Sequence, residues 1–212
     1  GSMALLSHLD LMRMLERALR RSGLPISFTG GFHPLPRVQI ALALPLGAEA
    51  GSEWMDMEFT EALDPGQLQQ GLQPLLPPGI TLLSVGEVPV SGPSLSQEIR
   101  AAVWSFDLEL ESGLTIDWSP AISALLAADQ LMWHDTDKKG RPRSRDCRSV
   151  LRRLDVVSEN ESPRLRLRLE ADVDAMGRSL RPSQIQHWLE EQISAPIALQ
   201  CLKRDRLELA QC

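Results

Sequence analysis

Tyrosine is absent from the 212 residues, and aromatic side chains make up only 4% of them. Stacking platforms for single-stranded nucleic acid are therefore not evident along the chain. Cysteine is scarce as well. Cys147, Cys201 and Cys212 are an odd number at wide spacing, which argues against a disulfide framework and fits a reducing compartment. No pair or triplet has CxxC or CxxxCxxC spacing, so this chain alone supplies neither a zinc ribbon nor an iron–sulfur cluster. Apolar stretches such as Ile40 to Leu46 fall far short of the ~20 residues that a bilayer crossing needs, and no charged-then-apolar leader opens the sequence. The expectation is a cytoplasmic chain with no membrane contact. A GxxxxGK[ST] phosphate loop is missing too.

What is present is 43% hydrophobic content, enough to fill one large core or two smaller ones. The net charge of −6 would by itself discourage a polyanionic partner, but its distribution is uneven. Lys138, Lys139, Arg141, Arg143, Arg145, Arg148, Arg152 and Arg153 are opposed only by Asp146, so that segment carries +7 and the other residues together −13. Such asymmetry fits either a polyanion-binding segment or a solvated loop whose charges pair with the acidic body.

Ser7 and Asp10 have capping-box spacing, with the Asp10 carboxylate expected to reach the Ser7 amide. An inward stripe of Leu11, Leu15, Ala18 and Ser22 follows, and Gly23 stops it, which predicts a helix over His8 to Ser22. Alternation predicts strands at Val38 to Leu46, Glu53 to Thr60 and Ile80 to Val88, with a helix capped by Asp64 in between. Pro, Gly and Ser cluster over Pro89 to Ser96. The pattern then restarts: a strand at Val103 to Glu111, a helix from Ser119, a basic hairpin with its tip at Asp137 to Gly140, and a strand at Arg164 to Ala171. A helix opened by Ser183 and Gln186 and a strand at Ile197 to Leu209 complete it.

Both halves follow the order strand, helix, strand, strand, helix, strand, the first half without its opening strand. The predicted fold is α+β, a tandem of ferredoxin-like (βαββαβ) domains with antiparallel sheets. The expected boundaries are 1–90 for the first domain, 91–101 for a linker, and 102–212 for the second domain with a basic insertion over 137–153. The missing strand leads to the expectation that the natural polypeptide starts upstream of Gly1, with Gly1-Ser2-Met3 either a cloning remnant or native loop.

Several residues are candidates for chemistry or binding. His8 could serve as acid or base, although a histidine in a first helical turn is more commonly just solvated. The exposed helix face offers Arg13, Arg17 and Arg20. In Gly30-Gly31-Phe32-His33-Pro34-Leu35-Pro36-Arg37 the glycines allow unusual backbone angles and the prolines stiffen the chain. Either the loop presents His33 and Arg37 rigidly, or it merely shapes a crossover with Phe32 plugging the core. Arg164, Arg166 and Arg168 alternate along one strand and could join the basic segment in one phosphate-binding surface. Cys147 lies among arginines that favour its thiolate, against the simpler reading of a structural cysteine.

Ser7-His8-Leu9-Asp10-Leu11-Met12-Arg13, continued by Glu16 to Pro25 and Gly31 to Arg37, resembles the radical-SAM-linked domain of unknown function. The likeness extends through Ala43 to Gly47, Trp54 to Glu58 and Asp146 to Val156. Members occur as the C-terminal part of cobalamin-binding-domain radical SAM proteins or as separate proteins encoded with one. The resemblance implies a radical SAM domain in cis or trans that holds a [4Fe–4S] cluster and S-adenosylmethionine, with no cofactor on this chain. The leading expectation is thus a non-catalytic recognition domain binding RNA, tRNA in the first instance, through its basic segment. The alternatives are a metal-independent RNA endonuclease using His8 or His33, which tandem ferredoxin-like domains also resemble, and a structural module docking on the radical SAM barrel through Ala41 and Ala43.

Overall fold

The computed structural model describes residues 2–137, 139–157, 161–174 and 177–210. The chain divides into two compact units, Gly1–Glu98 and Ile99–Cys212.

In the first unit, a single 3-10 turn at Ser2–Leu5 precedes α1 (His8–Ser22). Ser7 caps α1 by accepting from the Asp10 amide at 3.2 Å. The Asp10 carboxylate accepts from the Ser7 hydroxyl at 2.7 Å, not from the Ser7 amide as expected. Gly23 ends the helix at φ +69, a backbone angle that glycine adopts without a Cβ penalty. Three short strands follow, β1 (Val38–Ile40), β2 (Glu49–Ala50) and β3 (Met55–Met57). β1 and β3 pair antiparallel, with Val38 opposite Met57 and Ile40 opposite Met55. The strand expected to reach Leu46 therefore stops at Ile40. Pro45 has no amide to donate to a ladder, and it disfavours regular pairing beyond that point. Asp64 caps α2 (Pro65–Leu72), accepting from Gly66 and Gln67 amides at 2.8 and 3.2 Å. A 3-10 turn at Gln73–Leu75 and the short α3 (Leu95–Glu98) complete the unit. Leu15, Ala18, Leu19, Ile26, Leu72 and Leu76 form its core.

The second unit begins with β4 (Ile99–Leu110), β5 (Ile116–Asp117) and α4 (Ser119–Ala127). The hairpin β6 (Met132–Thr136) and β7 (Pro142–Asp146) comes next, followed by β8 (Leu151–Val156), β9 (Glu161–Ser162) and β10 (Arg164–Asp172). Last come α5 (Pro182–Ile193) and β11 (Ile197–Leu209). Four strands lie side by side in the order β11-β4-β10-β8, each neighbour antiparallel. Leu165, Leu167 and Leu169 on β10 face Leu108, Phe106 and Trp104 on β4 and are 0% exposed, so alternation has sorted this strand into an apolar and an arginine face. α5 starts one residue before Ser183 because Pro182 is preset for a first helical turn, and Gln184 rather than Gln186 accepts from the Arg181 amide, at 2.9 Å.

The chain is thus mixed α/β with antiparallel sheets. Among the described residues, the first unit has no four-stranded sheet to match that of the second, and the segment 80–88 has no strand partner. The linker expected over 91–101 instead holds α3 and the start of β4, because Leu95, Ile99 and Ala101 are buried, at 5% exposure or less. No described helix is long and apolar enough to cross a membrane.

Candidate recognition surface

The glycine-rich loop of the first unit is ordered by its own backbone. Phe28 bridges Pro36, the Thr29 amide donates to the Leu35 carbonyl at 2.8 Å, the Leu35 amide to Thr29 Oγ1 at 3.0 Å, and the Arg37 amide to the Ser27 carbonyl at 2.8 Å. Gly31 at the tip has φ +107, which a residue with a Cβ would reach only under strain. α1 braces this hairpin through Arg20. Its Nη2 donates to the Pro34 carbonyl at 2.7 Å, its Nε to Glu16 at 3.0 Å, and its guanidinium lies 4.9 Å from the centre of the Phe28 ring. On the opposite strand Arg37 meets Glu58 at 3.4 Å and donates to the Phe28 carbonyl. The result is a fixed platform whose tip residue, Phe32, is 102% exposed, with His33 and Leu35 exposed beside it. Phe32 does not plug the core. Arg17 is exposed on α1 and has no ion pair among the described residues, while Arg13 reaches Asp10 at 3.5 Å.

The arginines of the second unit are arranged differently. Register sets Arg166 opposite Asp107, to which it donates twice, at 2.7 and 2.9 Å, and Arg164 opposite Glu109, at 3.1 Å. Arg168 meets Glu170 at 3.6 Å and Arg153 meets Asp155 at 2.8 Å, while Arg152 holds both Asp172 and Glu208. In the hairpin Arg143 grips Asp135, and Arg141 grips Asp137, each at 2.7 Å. Arg148 donates to the Ala128 and Leu126 carbonyls at 3.1 and 3.2 Å. The Nε of Arg145 is buried and has no hydrogen-bond partner among the described residues. Lys139 is exposed, and Lys138 lies outside the described residues. The hydrogen bond from Arg166 holds the Asp107 carboxyl below its ordinary range, and Arg143 does the same for Asp135. The positive charge concentrated in the sequence is therefore largely met by carboxylates in space. One signal for this was available in the sequence: Asp107 and Glu109 alternate with Phe106 and Leu108 at the same period as the arginines of β10.

Residues 1–182 match the family described as "Uncharacterized protein conserved in bacteria (DUF2344)". The chain belongs to this family. No curated protein matches it. Among solved structures it is similar to one chain of the "Crystal Structure of a Cbf5-Nop10-Gar1 Complex", with a TM-score of 0.53 and 10% sequence identity over 95% of this chain. At that identity the likeness concerns the fold alone. The chain spans 45% of the length of that structural relative.

The remaining polar candidates in this DUF2344 member do not assemble into a reactive constellation. His8 and His33 are exposed and have no hydrogen-bond partner among the described residues, so neither is oriented as an activated base would be. His134 Nδ1 lies 2.7 Å from Ser144 Oγ, and His187 is 3.5 Å from Glu191 on its own helix. Cys147 is buried, and burial pushes its thiol above the ordinary range despite the adjacent Arg145, which fits a packing role. Of the alanine pair expected to form a docking face, Ala41 is buried and Ala43 exposed. No group of three His, Cys, Asp or Glu among the described residues could hold a metal ion. The residues that sequence reasoning missed are structural partners: Phe28 and Glu58 beside the loop, and the carboxylates that neutralise the arginines.

Proposed function

We propose that this chain is a non-catalytic recognition module that works with a radical SAM protein, in cis or in trans, and that its contact surface is the braced loop of the first unit. The observation that carries this reading is Phe32, wholly exposed at the tip of a hairpin that Arg20 and Arg37 hold in place. An exposed aromatic on a pre-ordered support costs little entropy to bury and has the character of an interface anchor. The radical SAM association rests on the sequence resemblance. The [4Fe–4S] cluster and S-adenosylmethionine belong, on this reading, to that protein. A place within an assembly agrees with the structural relative, which is itself part of a complex named for Cbf5, Nop10 and Gar1.

Between a protein and an RNA partner, the ion-pairing favours protein. Phosphates approaching the second unit would have to displace carboxylates already holding Arg141, Arg143, Arg152, Arg153, Arg164, Arg166 and Arg168. Binding between the chain and its radical SAM polypeptide is the direct test. Phe32→Ala is expected to weaken it at least about tenfold, with the melting temperature unchanged because Phe32 touches no core. Arg20→Met should weaken it as well by releasing the loop. Wild-type affinity in Phe32→Ala removes the loop from the contact. Retention of tRNA that falls steeply with added salt and depends on Lys139, Arg141 and Arg143 would replace the protein reading with the RNA one.

A further inference from the structure

β8 ends the strand order β11-β4-β10-β8, and among the described residues no strand lies beyond it. Its inner side is fixed by the ladder with β10. The Val157 amide donates to the Arg166 carbonyl at 2.8 Å, and Asp155 and Arg153 stand opposite Arg168 and Glu170. Antiparallel hydrogen bonding alternates along a strand, so the main-chain groups of Arg153, Asp155 and Val157 turn toward β10 and those of Leu154 and Val156 turn outward. These outward groups have no hydrogen-bond partner among the described residues. An edge of this kind is a template for one more strand.

The charges on this edge select the strand that fits it. Arg153 and Asp155 lie two positions apart on one face, meet at 2.8 Å, and have side chains 66% and 35% exposed. Leu154 between them is buried and anchors the strand to the core. A second copy of β8 can lie antiparallel to the first with a two-fold axis at Leu154. Leu154 of each copy then exchanges two backbone hydrogen bonds with Leu154 of the other, and each Arg153 faces Asp155 of the other copy. That position falls between hydrogen-bonded pairs, where facing Cα atoms are about 4.5 Å apart and side chains are closest. The four charges make a ring in which every neighbour, along a strand or across the axis, has the opposite sign. Only an axis on a residue matches outward groups to outward groups. Moving it by one residue, to Arg153 or Asp155, sets like charges face to face, so the edge opposes its own slippage.

We infer that the protein forms a symmetric dimer in which β8 pairs with β8 of a second copy across an axis at Leu154. Charges of one sign would only blunt an edge, whereas this pair is complementary to its own image and so specifies a second copy as the occupant. The paired stretch is short, so the dimer is a weak and reversible one rather than an obligate one. The inference stands independently of the recognition reading, and none of its residues belongs to the Phe32 loop.

Sedimentation equilibrium of the full chain over a concentration series tests it. The wild type should show a reversible monomer–dimer equilibrium, and hydrogen exchange at the Leu154 amide should slow as concentration rises. Arg153→Asp and Asp155→Arg each place two like-charge pairs across the axis, and each should raise the dissociation constant of the dimer at least about tenfold. Mixed in equal amounts, the two variants complement one another, because every facing pair between them is of opposite sign. A dimer with one chain of each should therefore form with about the wild-type affinity. A wild type that stays monomeric up to about 1 mM overturns the inference, as do single variants that dimerise like the wild type or folded variants that fail to pair when mixed. Should a variant not fold, the wild-type Leu154 amide still decides: exchange that is independent of concentration overturns the dimer.

Discussion

Leu167→Ala is expected to be among the most damaging single substitutions in the chain, lowering the unfolding free energy by about 2–5 kcal/mol. Leu167 is 0% exposed at the centre of β10, opposite Phe106 on β4 and Val156 on β8. Both neighbouring strands are held by their own ladders, so the site cannot easily collapse onto the space left by the lost methyl groups. The measurement is a urea transition of the full chain, where the midpoint should fall with the slope unchanged. A loss under about 1 kcal/mol would mean that β10 is not the centre of a packed sheet.

Arg166→Ala is expected to give the largest loss among the paired arginines, well beyond that of Arg141→Ala. The two ion pairs have the same 2.7 Å separation and differ in burial of the carboxylate. Asp107 has a side chain 1% exposed, while Asp137 has one 25% exposed and lies in a hairpin tip. Removing Arg166 strands a desolvated carboxylate; removing Arg141 leaves one that water can reach. The pH dependence carries a definite sign. The Asp107 carboxyl is held below its ordinary range by Arg166, so its contribution is fully present above the unfolded carboxyl value of about 3.9 and is lost as pH falls through the lower folded value. The stability difference between wild type and Arg166→Ala should therefore be constant near neutrality and shrink in acid. Urea midpoints from pH 7 down to strongly acidic conditions would show this. Equal losses for the two arginine variants, or a gap that widens in acid, would contradict the burial argument.

The arginine face shows where sequence reading reaches its limit. Alternation of Arg164, Arg166 and Arg168 with leucines is enough to place all three on one side of a strand, and β10 has them so. Which carboxylates stand opposite is a matter of register between β10 and β4, with Arg166 and Asp107 separated by 59 positions. A one-residue slip would send every side chain to the other face. The loop at Gly30 to Arg37 is a similar case. Its glycines and prolines fit a presented loop and a mere crossover equally; the brace from Arg20, which decides between them, depends on where α1 packs, and Arg20 read in sequence looks like one more surface cation.

The amino-acid order alone determined the local elements: α1 from its serine cap and glycine stop, α2 from Asp64 and Pro65, β10 from alternation. These depend on neighbours within a few positions, where steric preference, capping and periodicity act. Tertiary structure alone decided that the basic segment is mostly neutralised and that Phe32 is presented rather than buried. Ion pairing and strand pairing join residues distant in the chain, so their outcome is set by packing and register, which no local window contains.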